Sequence, residues 1–205
     1  MFDFLQKHPR VARVAEIAGQ TVLLNLLMIL SAATVIGLAP ALAGGFSYAQ
    51  RMVRRQTLDV VEHFLQPMRR HFVGAWLIGL ATAGLVGFAV ANVYLVTNAD
   101  IPAGGVVATL GGVLGALVLC ANLYAWPLLV TSGAGPAKVM VLALRLALGH
   151  LPWSLLIFVP CAALGALTIA YPAFGGIVGV GAIAVVAAWG SWRVLRRYQA
   201  AETAR

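Results

Sequence analysis

Long apolar runs without a charged side chain dominate this sequence. Four of them occupy residues 72–96, 106–129, 151–170 and 174–192. A bilayer core of about 30 Å is crossed by about 20 helical residues at about 1.5 Å each, so every run is long enough for one membrane span. The pattern predicts an all-α fold, a polytopic transmembrane helical bundle.

The composition supports the same class of protein. Of the 205 residues, 61% are hydrophobic and 10% are charged, and the mean hydropathy is +0.93. Ordinary soluble domains carry about 25% charged residues, so this chain could not keep its surface in water. We predict a single membrane domain over residues 1–205, with no room for a separate soluble domain.

A fifth apolar run, at residues 20–43, is harder to interpret because Gly37 and Pro40 stand near its end. With its flanking residues it is long for one crossing and short for two. We predict one span preceded by an interfacial helix, which makes about five spans in all. The alternative is a re-entrant segment that bends between Gly37 and Gly45 and returns to the side on which it began.

Two amphipathic connectors are indicated by the spacing of the remaining apolar residues. The first covers residues 46–70, where Val53, Val60 and Phe64 recur at helical spacing and arginines populate the remainder. The second covers residues 137–149. Both connectors are predicted to lie in the headgroup plane of the membrane, with their basic side chains toward anionic lipid or a partner protein.

The basic residues determine the predicted orientation, because positively charged loops tend to stay in the cytoplasm. We place the chain in a bacterial cytoplasmic membrane. If both connectors and the C-terminus lie on its cytoplasmic side, the only basic residues on the outer side are Lys7, Arg10 and Arg13. The multi-pass chain is therefore predicted to have its N-terminus outside and its C-terminus inside, whereas a re-entrant first segment would return the N-terminus to the cytoplasm. The candidate contacts with the inner leaflet or a partner are Arg51, Arg54, Arg55, Arg69, Arg70, Lys138, Arg145, His150, Arg193, Arg196 and Arg197.

The predicted spans carry little chemistry. They contain no Asp, Glu, Lys or Arg, which argues against a proton-coupled or voltage-driven mechanism. Their most polar side chains are Asn25, Asn92 and Asn122, and each needs a partner because an unpaired amide in hydrocarbon is costly. We expect interhelical hydrogen bonds from these amides; the alternative is a role in binding a solute.

Catalytic and cofactor motifs are not found in the sequence. Cys120 and Cys161 fall inside apolar runs without a second thiol or a histidine at metal-ligand spacing, and they are interpreted as small buried hydrophobic residues. The glycine-rich stretches lack the adjoining lysine and hydroxyl residue of a phosphate-binding loop. We predict no catalytic site, no cofactor, no metal and no nucleic-acid partner, and we do not expect an enzyme.

The two halves of the sequence resemble each other where the second and fourth spans begin. The segment that opens at His71 can be aligned with the segment that opens at His150, and each follows an amphipathic connector. This similarity leaves open a parallel internal repeat, in which both copies enter the membrane from the same side.

Three motifs in order resemble the signature of the YesL-like family of bacterial integral membrane proteins. They are TVIGLAPALA at residues 34–43, LYAWPLL at residues 123–129 and ALRLALGHLP at residues 143–152. The members of that family share a domain of unknown function. Its members tend to be encoded beside carbohydrate ABC importers and glycan-degrading enzymes, so the resemblance implies a role in carbohydrate transport.

Residues 147–153 also resemble the cytoplasmic coupling loop of ABC-importer membrane subunits, but the acidic residue expected before that loop is missing. The similarity favours a docking helix rather than a permease. The leading hypothesis is a non-catalytic accessory membrane subunit that contacts an ABC permease or ATPase. The alternatives are a stand-alone facilitator for a small neutral solute past Asn25 and Asn122, and a membrane-shaping or lipid-sensing protein. A homo-oligomer also stays open.

Overall fold

The structure is a computed structural model that describes residues 9–56, 59–98 and 104–203, and every regular element among them is helical. In chain order the elements are α1 (Pro9–Ala32), a 3₁₀ turn (Val35–Gly37), α2 (Leu38–Val53), a π-helical turn (Val61–Leu65) continuing into α3 (Gln66–Arg70), α4 (Phe72–Asn98), α5 (Gly104–Thr131), α6 (Pro136–Gly149), α7 (Leu151–Ala170), a short turn (Pro172–Phe174), a second π-helical turn (Gly175–Gly179) and α8 (Val180–Thr203).

Five helical segments of the described chain are long and apolar enough to cross a membrane. They are Arg13–Ala32, Phe72–Val96, Gly104–Thr131, Leu151–Ala170 and Pro172–Arg196. Large apolar side chains on α4, α5 and α7 are exposed, as expected for helix faces that are solvated by lipid. The predicted all-α membrane bundle of about five spans is confirmed.

The prediction of a single span over residues 20–43 was wrong, because the helix stops at Ala32. Thr34 has an extended backbone, and its Oγ1 donates a hydrogen bond of 2.8 Å to the carbonyl oxygen of Ser31. A Cβ atom at Gly37 would collide with that same carbonyl oxygen. Pro40 then lies in the first turn of α2, where a missing N–H costs nothing. Residues 37–40 are therefore a helix start and not the end of a span.

Helices α1 and α2 form an antiparallel hairpin. Arg13 near the start of α1 and Arg55 just after α2 line the same cavity, and Met28 near the end of α1 lies against Gly45 of α2. The interfacial helix expected before the first span is simply the beginning of α1. The chain thus returns toward the end at which α1 begins, and the bend lies at residues 33–37, whereas the re-entrant alternative placed it between Gly37 and Gly45.

Helix α2 is the most enclosed element of the bundle. It packs against α1, α4, α5 and α8, and Ala43 and Ala49 are fully buried. The ring of Phe46 stacks on the ring of Trp126 in α5, with 6.5 Å between their centroids. Close packing of small residues is the usual means by which helices associate in lipid, and α2 uses it on several faces.

The prediction that residues 46–70 form one connector helix was wrong, because residues 46–53 belong to buried α2. A new helical segment starts with Asp59 as its N-cap. The Oδ1 atom of Asp59 accepts hydrogen bonds from the backbone N–H groups of Val61 (2.7 Å) and Glu62 (3.0 Å). These bonds lower the pKa of the Asp59 carboxyl. In return, the N–H of Asp59 donates to Nδ1 of His63 at 2.8 Å. Phe64 is fully buried against α2, so this connector is part of the core.

The second predicted connector, at residues 137–149, coincides with α6. The two span-opening histidines have the same local geometry: both interrupt the helix with non-helical backbone angles. The carbonyl of His71 accepts from the N–H of Ala75 at 2.7 Å, and the carbonyl of His150 accepts from the N–H of Ser154 at 2.8 Å. The internal repeat stays a prediction.

Asn25 joins α1 to the second π-helical turn and the start of α8 through three hydrogen bonds. Its Nδ2 donates to the carbonyl oxygens of Gly175 (3.2 Å) and Gly176 (2.7 Å), and its Oδ1 accepts from the N–H of Gly181 (2.9 Å). The side chain is fully buried. A π-helical turn weakens the local backbone ladder, and the amide supplies the partners that hydrocarbon cannot provide.

We predict that Gly181→Ala lowers the free energy of unfolding by about 1–3 kcal/mol, because a Cβ there would lie 2.7 Å from the carbonyl oxygen of Thr21. The matched control is Gly165→Ala in α7, where no atom lies within 4 Å of the added carbon. Unfolding in mixed micelles, titrated with sodium dodecyl sulfate, measures both variants. Equal losses in the two would contradict the close approach of α1 and α8.

Candidate functional site

Four arginines, Arg13, Arg54, Arg55 and Arg193, gather at one end of the bundle, which we call the arginine-rich end. It comprises the start of α1 at Arg13, the end of α2 at Arg54 and Arg55, and the last turns of α8 around Trp192 and Arg193. The start of α4 lies beside the last turns of α5, since Gly74 lies against Leu129.

Arg54 stacks on an indole ring instead of forming an ion pair. Its guanidinium carbon lies 3.6 Å from the ring centroid of Trp192, and its Nε is buried without a hydrogen-bond partner in the described residues. Burial, and then the nearby charge of Arg51, lower the pKa of Arg54, although an arginine stays charged at neutral pH. A cation–π contact of this kind contributes about 0.5–2 kcal/mol.

Arg193 is shared by two further tryptophans. Its guanidinium carbon lies 5.4 Å from the ring centroid of Trp153 and 6.0 Å from that of Trp189. The Nε1 of Trp153 donates to the carbonyl oxygen of Gly190 at 3.1 Å, which fixes the start of α7 on α8. A cavity of about 200 Å³ lies beside Trp153 and Arg193, and His150 and Val194 also line it.

Arg55 has a strained backbone. Its φ of 59° lies in the left-handed region, which costs a residue with a Cβ roughly 1–2 kcal/mol. The N–H of Arg55 bonds to the carbonyl of Met52 and the N–H of Gln56 to the carbonyl of Arg51, each at 3.1 Å. These two bonds define a Schellman motif, in which glycine usually occupies the position of Arg55.

Within the part of the chain that the structure describes, the arginines have no carboxylate counter-ion. The single ion pair within the described residues joins Glu62 to His63 at 3.8 Å, and it is an ion pair only if His63 is protonated. The carboxylate of Glu16 accepts a hydrogen bond from Gln20, and that of Asp59 caps the first connector. The positive charge of the arginine-rich end must therefore be balanced by water, lipid or a partner.

The remaining predicted contacts are spread over the connectors and α8. Arg51 is half-buried, whereas the others are exposed: Arg69, Arg70, Lys138, Arg145, His150 and Arg196. The backbones of Arg10 and Arg197 belong to α1 and α8, but their side chains are not described. Lys7 and Arg205 lie outside the described residues. Beside Arg70, burial and that positive charge lower the pKa of His71.

The three predicted amides are all used within the bundle. Asn122 and Thr82 join α5 to α4 through bonds of 3.0 and 3.1 Å, and Asn122 Nδ2 also donates to the carbonyl of Val118. Asn92 Nδ2 donates to the carbonyl of Phe88 in its own helix. The expected interhelical hydrogen bonds are therefore present for Asn25 and Asn122, whereas the bond of Asn92 stays within α4.

Sequence reasoning missed the tryptophans Trp153, Trp189 and Trp192. Their position at the ends of apolar runs was a usable signal, since tryptophan is enriched at membrane interfaces. No group of three His, Cys, Asp or Glu side chains that could hold a metal ion occurs in residues 9–56, 59–98 and 104–203, and Cys120 and Cys161 are free and buried.

Comparison with known proteins gives one partial match. Residues 21–93, about a third of the chain, match the family model described as a protein of unknown function, DUF624. The matched segment begins in α1 and covers α2, the first connector and most of α4. No curated protein and no solved structure matches the chain.

We predict that Arg55→Gly leaves the free energy of unfolding unchanged or raises it by up to about 1 kcal/mol, because glycine adopts the left-handed conformation without strain. Arg55→Ala keeps the strain and serves as the comparison. Thermal unfolding of both variants in the same detergent measures the difference. A glycine variant less stable than the alanine variant would show that the backbone of Arg55 is not strained.

Proposed function

We propose that this protein is a non-catalytic accessory membrane subunit that binds a partner protein through the basic outer face of α6. This face adjoins the arginine-rich end, because His150, directly after α6, lines a cavity together with Arg193. The observation that carries the proposal is the contrast between the two polar regions of the molecule. The amides inside the bundle are already hydrogen-bonded, whereas the basic residues at one end have no acidic partner in the described chain. An acidic surface on a second protein would complement them.

Helix α6 supports docking because it presents both apolar and basic side chains to the outside. It buries Val139, Ala143, Leu146 and Ala147 against the bundle. Its outer face exposes Val141 (54%) and Leu148 (50%), flanked by Lys138 and Arg145. Exposed apolar side chains on a connector between spans, bordered by charge, are typical of a protein interface.

The proposed partner is a permease or ATPase subunit of a carbohydrate ABC importer. This part of the proposal rests on the resemblance to the YesL-like family, with which the match to DUF624 over residues 21–93 is consistent. It also rests on the likeness of residues 147–153 to a coupling loop, which lies where α6 passes into α7.

We also propose that the arginine-rich end faces the cytoplasm of a bacterium and that α1 and α2 together form a re-entrant hairpin. The other four long apolar helices then cross the membrane, and both termini of this multi-pass chain are inside. The support is the α1–α2 hairpin, which brings Arg13 next to Arg55 and Trp189. The basic residues that a single first crossing would leave outside then join the others, as the positive-inside tendency favours.

We predict that single cysteines at Arg13 and Gln56 react with a membrane-impermeant maleimide only when the cytoplasmic face is accessible. A cysteine at Tyr171, which is 63% exposed in the turn between α7 and Pro172, should react from the opposite side. Inverted and right-side-out vesicles, with Cys120 and Cys161 replaced by alanine, make the comparison. Labelling of positions 13 and 56 from opposite faces would overturn the proposed orientation.

We predict that the protein, extracted from its native membrane in mild detergent, co-purifies with an ABC permease or ATPase subunit. Val141→Ser combined with Arg145→Gln should reduce recovery of that subunit at least fivefold. The control, Val61→Ser combined with Arg69→Gln, removes the same kinds of side chain from the first connector and should retain it.

The alternative function is a stand-alone facilitator of a small neutral solute. It would give sugar flux in liposomes that contain this chain alone, with flux lost in Asn122→Leu. The hydrogen bonds of Asn25 and Asn122 weigh against it, because neither amide is free to exchange its partners for those of a solute. Flux together with elution as a single species would replace the accessory proposal.

A further inference from the structure

A groove at the arginine-rich end lies between α1, α2 and α8. Its volume is about 510 Å³, within the usual range of ligand sites of about 300–1,000 Å³. Most of its lining is apolar and includes Ile17, Met52 and Val186, while Arg13 and Arg55 supply two guanidinium groups. Trp189 forms one wall and is 55% exposed.

The polar and apolar parts of the groove are separated along the axes of α1 and α8. Arg13 begins the apolar segment of α1 that is long enough to cross a membrane, and Ile17 follows one helical turn further along it. Trp189 likewise lies one turn nearer the arginine-rich end than Val185, which also lines the groove. In a bilayer this order would put the charges at headgroup level and the apolar floor at acyl-chain level, where tryptophan and arginine commonly mark the boundary.

We propose that this groove is a specific binding site for one anionic phospholipid. Its phosphate would accept hydrogen bonds from Arg13 and Arg55, and one acyl chain would lie on Ile17, Met52 and Val186. Neither arginine has a carboxylate partner in the described chain, and Glu16, the nearest acidic residue on α1, takes its hydrogen bond from Gln20. A free phosphate ion would leave the apolar floor uncovered, and a zwitterionic lipid such as phosphatidylcholine would bring a positively charged headgroup beside the two guanidinium groups.

The strained backbone of Arg55 is a second observation in favour of the site. A Schellman motif is most stable with glycine at this position, yet the chain keeps a long cationic side chain there. The conformation aims a guanidinium-bearing residue at the groove just after α2 ends. Backbone strain of this kind clusters at ligand sites, where the surrounding structure maintains it.

The test compares lipid retention by the full chain in native mass spectrometry, after reconstitution with equal amounts of phosphatidylglycerol and phosphatidylcholine. The wild-type protein should retain one phosphatidylglycerol at least tenfold over phosphatidylcholine. Arg13→Gln combined with Arg55→Gly should reduce that preference about tenfold, and the glycine keeps the fold relaxed. The matched control, Arg69→Gln combined with Arg145→Gln, removes the same charge elsewhere and should retain the preference.

Three results would overturn the proposal. Equal retention of the two lipids by the wild type would exclude an anionic site, and an equal loss in the control variant would show that retention depends on diffuse surface charge. Displacement of the lipid by inorganic phosphate at equal concentration would show that the apolar floor contributes nothing. Thermal unfolding of each variant in lipid-free micelles distinguishes lost binding from lost folding. Lipid retention is measured on the purified chain alone, so its outcome is independent of whether the protein binds a partner.

Discussion

Every backbone N–H and C=O group in hydrocarbon must find its hydrogen-bond partner inside the protein. Uninterrupted helices satisfy this requirement by themselves, and the interruptions of this chain occur where a side chain satisfies it for them. The carbonyls of the second π-helical turn accept from Asn25, which stands 150 residues earlier in the chain. At the α1–α2 turn, the carbonyl of Ile36 accepts from Nε1 of Trp76 in α4 at 3.1 Å. The hydrogen bonds from Asn25 and Trp76 therefore reduce the free-energy cost of these two bends in lipid.

The α1–α2 hairpin in turn determines the distribution of charge. Because α2 runs back beside α1, the residues that follow it return to the end at which α1 starts. Small residues let neighbouring elements approach α2 closely, as at Gly44, where a Cβ would lie 2.7 Å from the carbonyl oxygen of Phe64. Because the rest of α2 is buried in apolar surroundings, the arginines that follow it can reach water or lipid headgroups only at the arginine-rich end.

Hydropathy predicted the spans at residues 72–96, 106–129 and 151–170, because these helices are apolar on every side and bounded by charge or turn residues. It failed at residues 20–43, because a helix buried in protein is as apolar as one exposed to lipid. The start signal at Gly37 and Pro40 was present in the sequence and was interpreted as an end. The partners of Asn25 could not be predicted, since the contact with Gly175, Gly176 and Gly181 exists only after the bundle has closed. The stacking of Arg54 on Trp192 depends on the same closure.

The charge of the chain cannot be balanced from within. Fourteen Lys and Arg face six Asp and Glu, so eight positive charges would remain even if every carboxylate were paired. Cytoplasmic-leaflet lipids attract such residues by about 1 kcal/mol each near the surface, and an acidic protein surface can do the same in a directed way. The two surfaces proposed here differ in shape and therefore in what they can bind. The outer face of α6 is convex and suits a second protein, whereas the groove between α1, α2 and α8 is concave with an apolar floor and suits an acyl chain. Because Arg145 belongs to the first surface and Arg55 to the second, the two kinds of binding use different residues and can be lost separately.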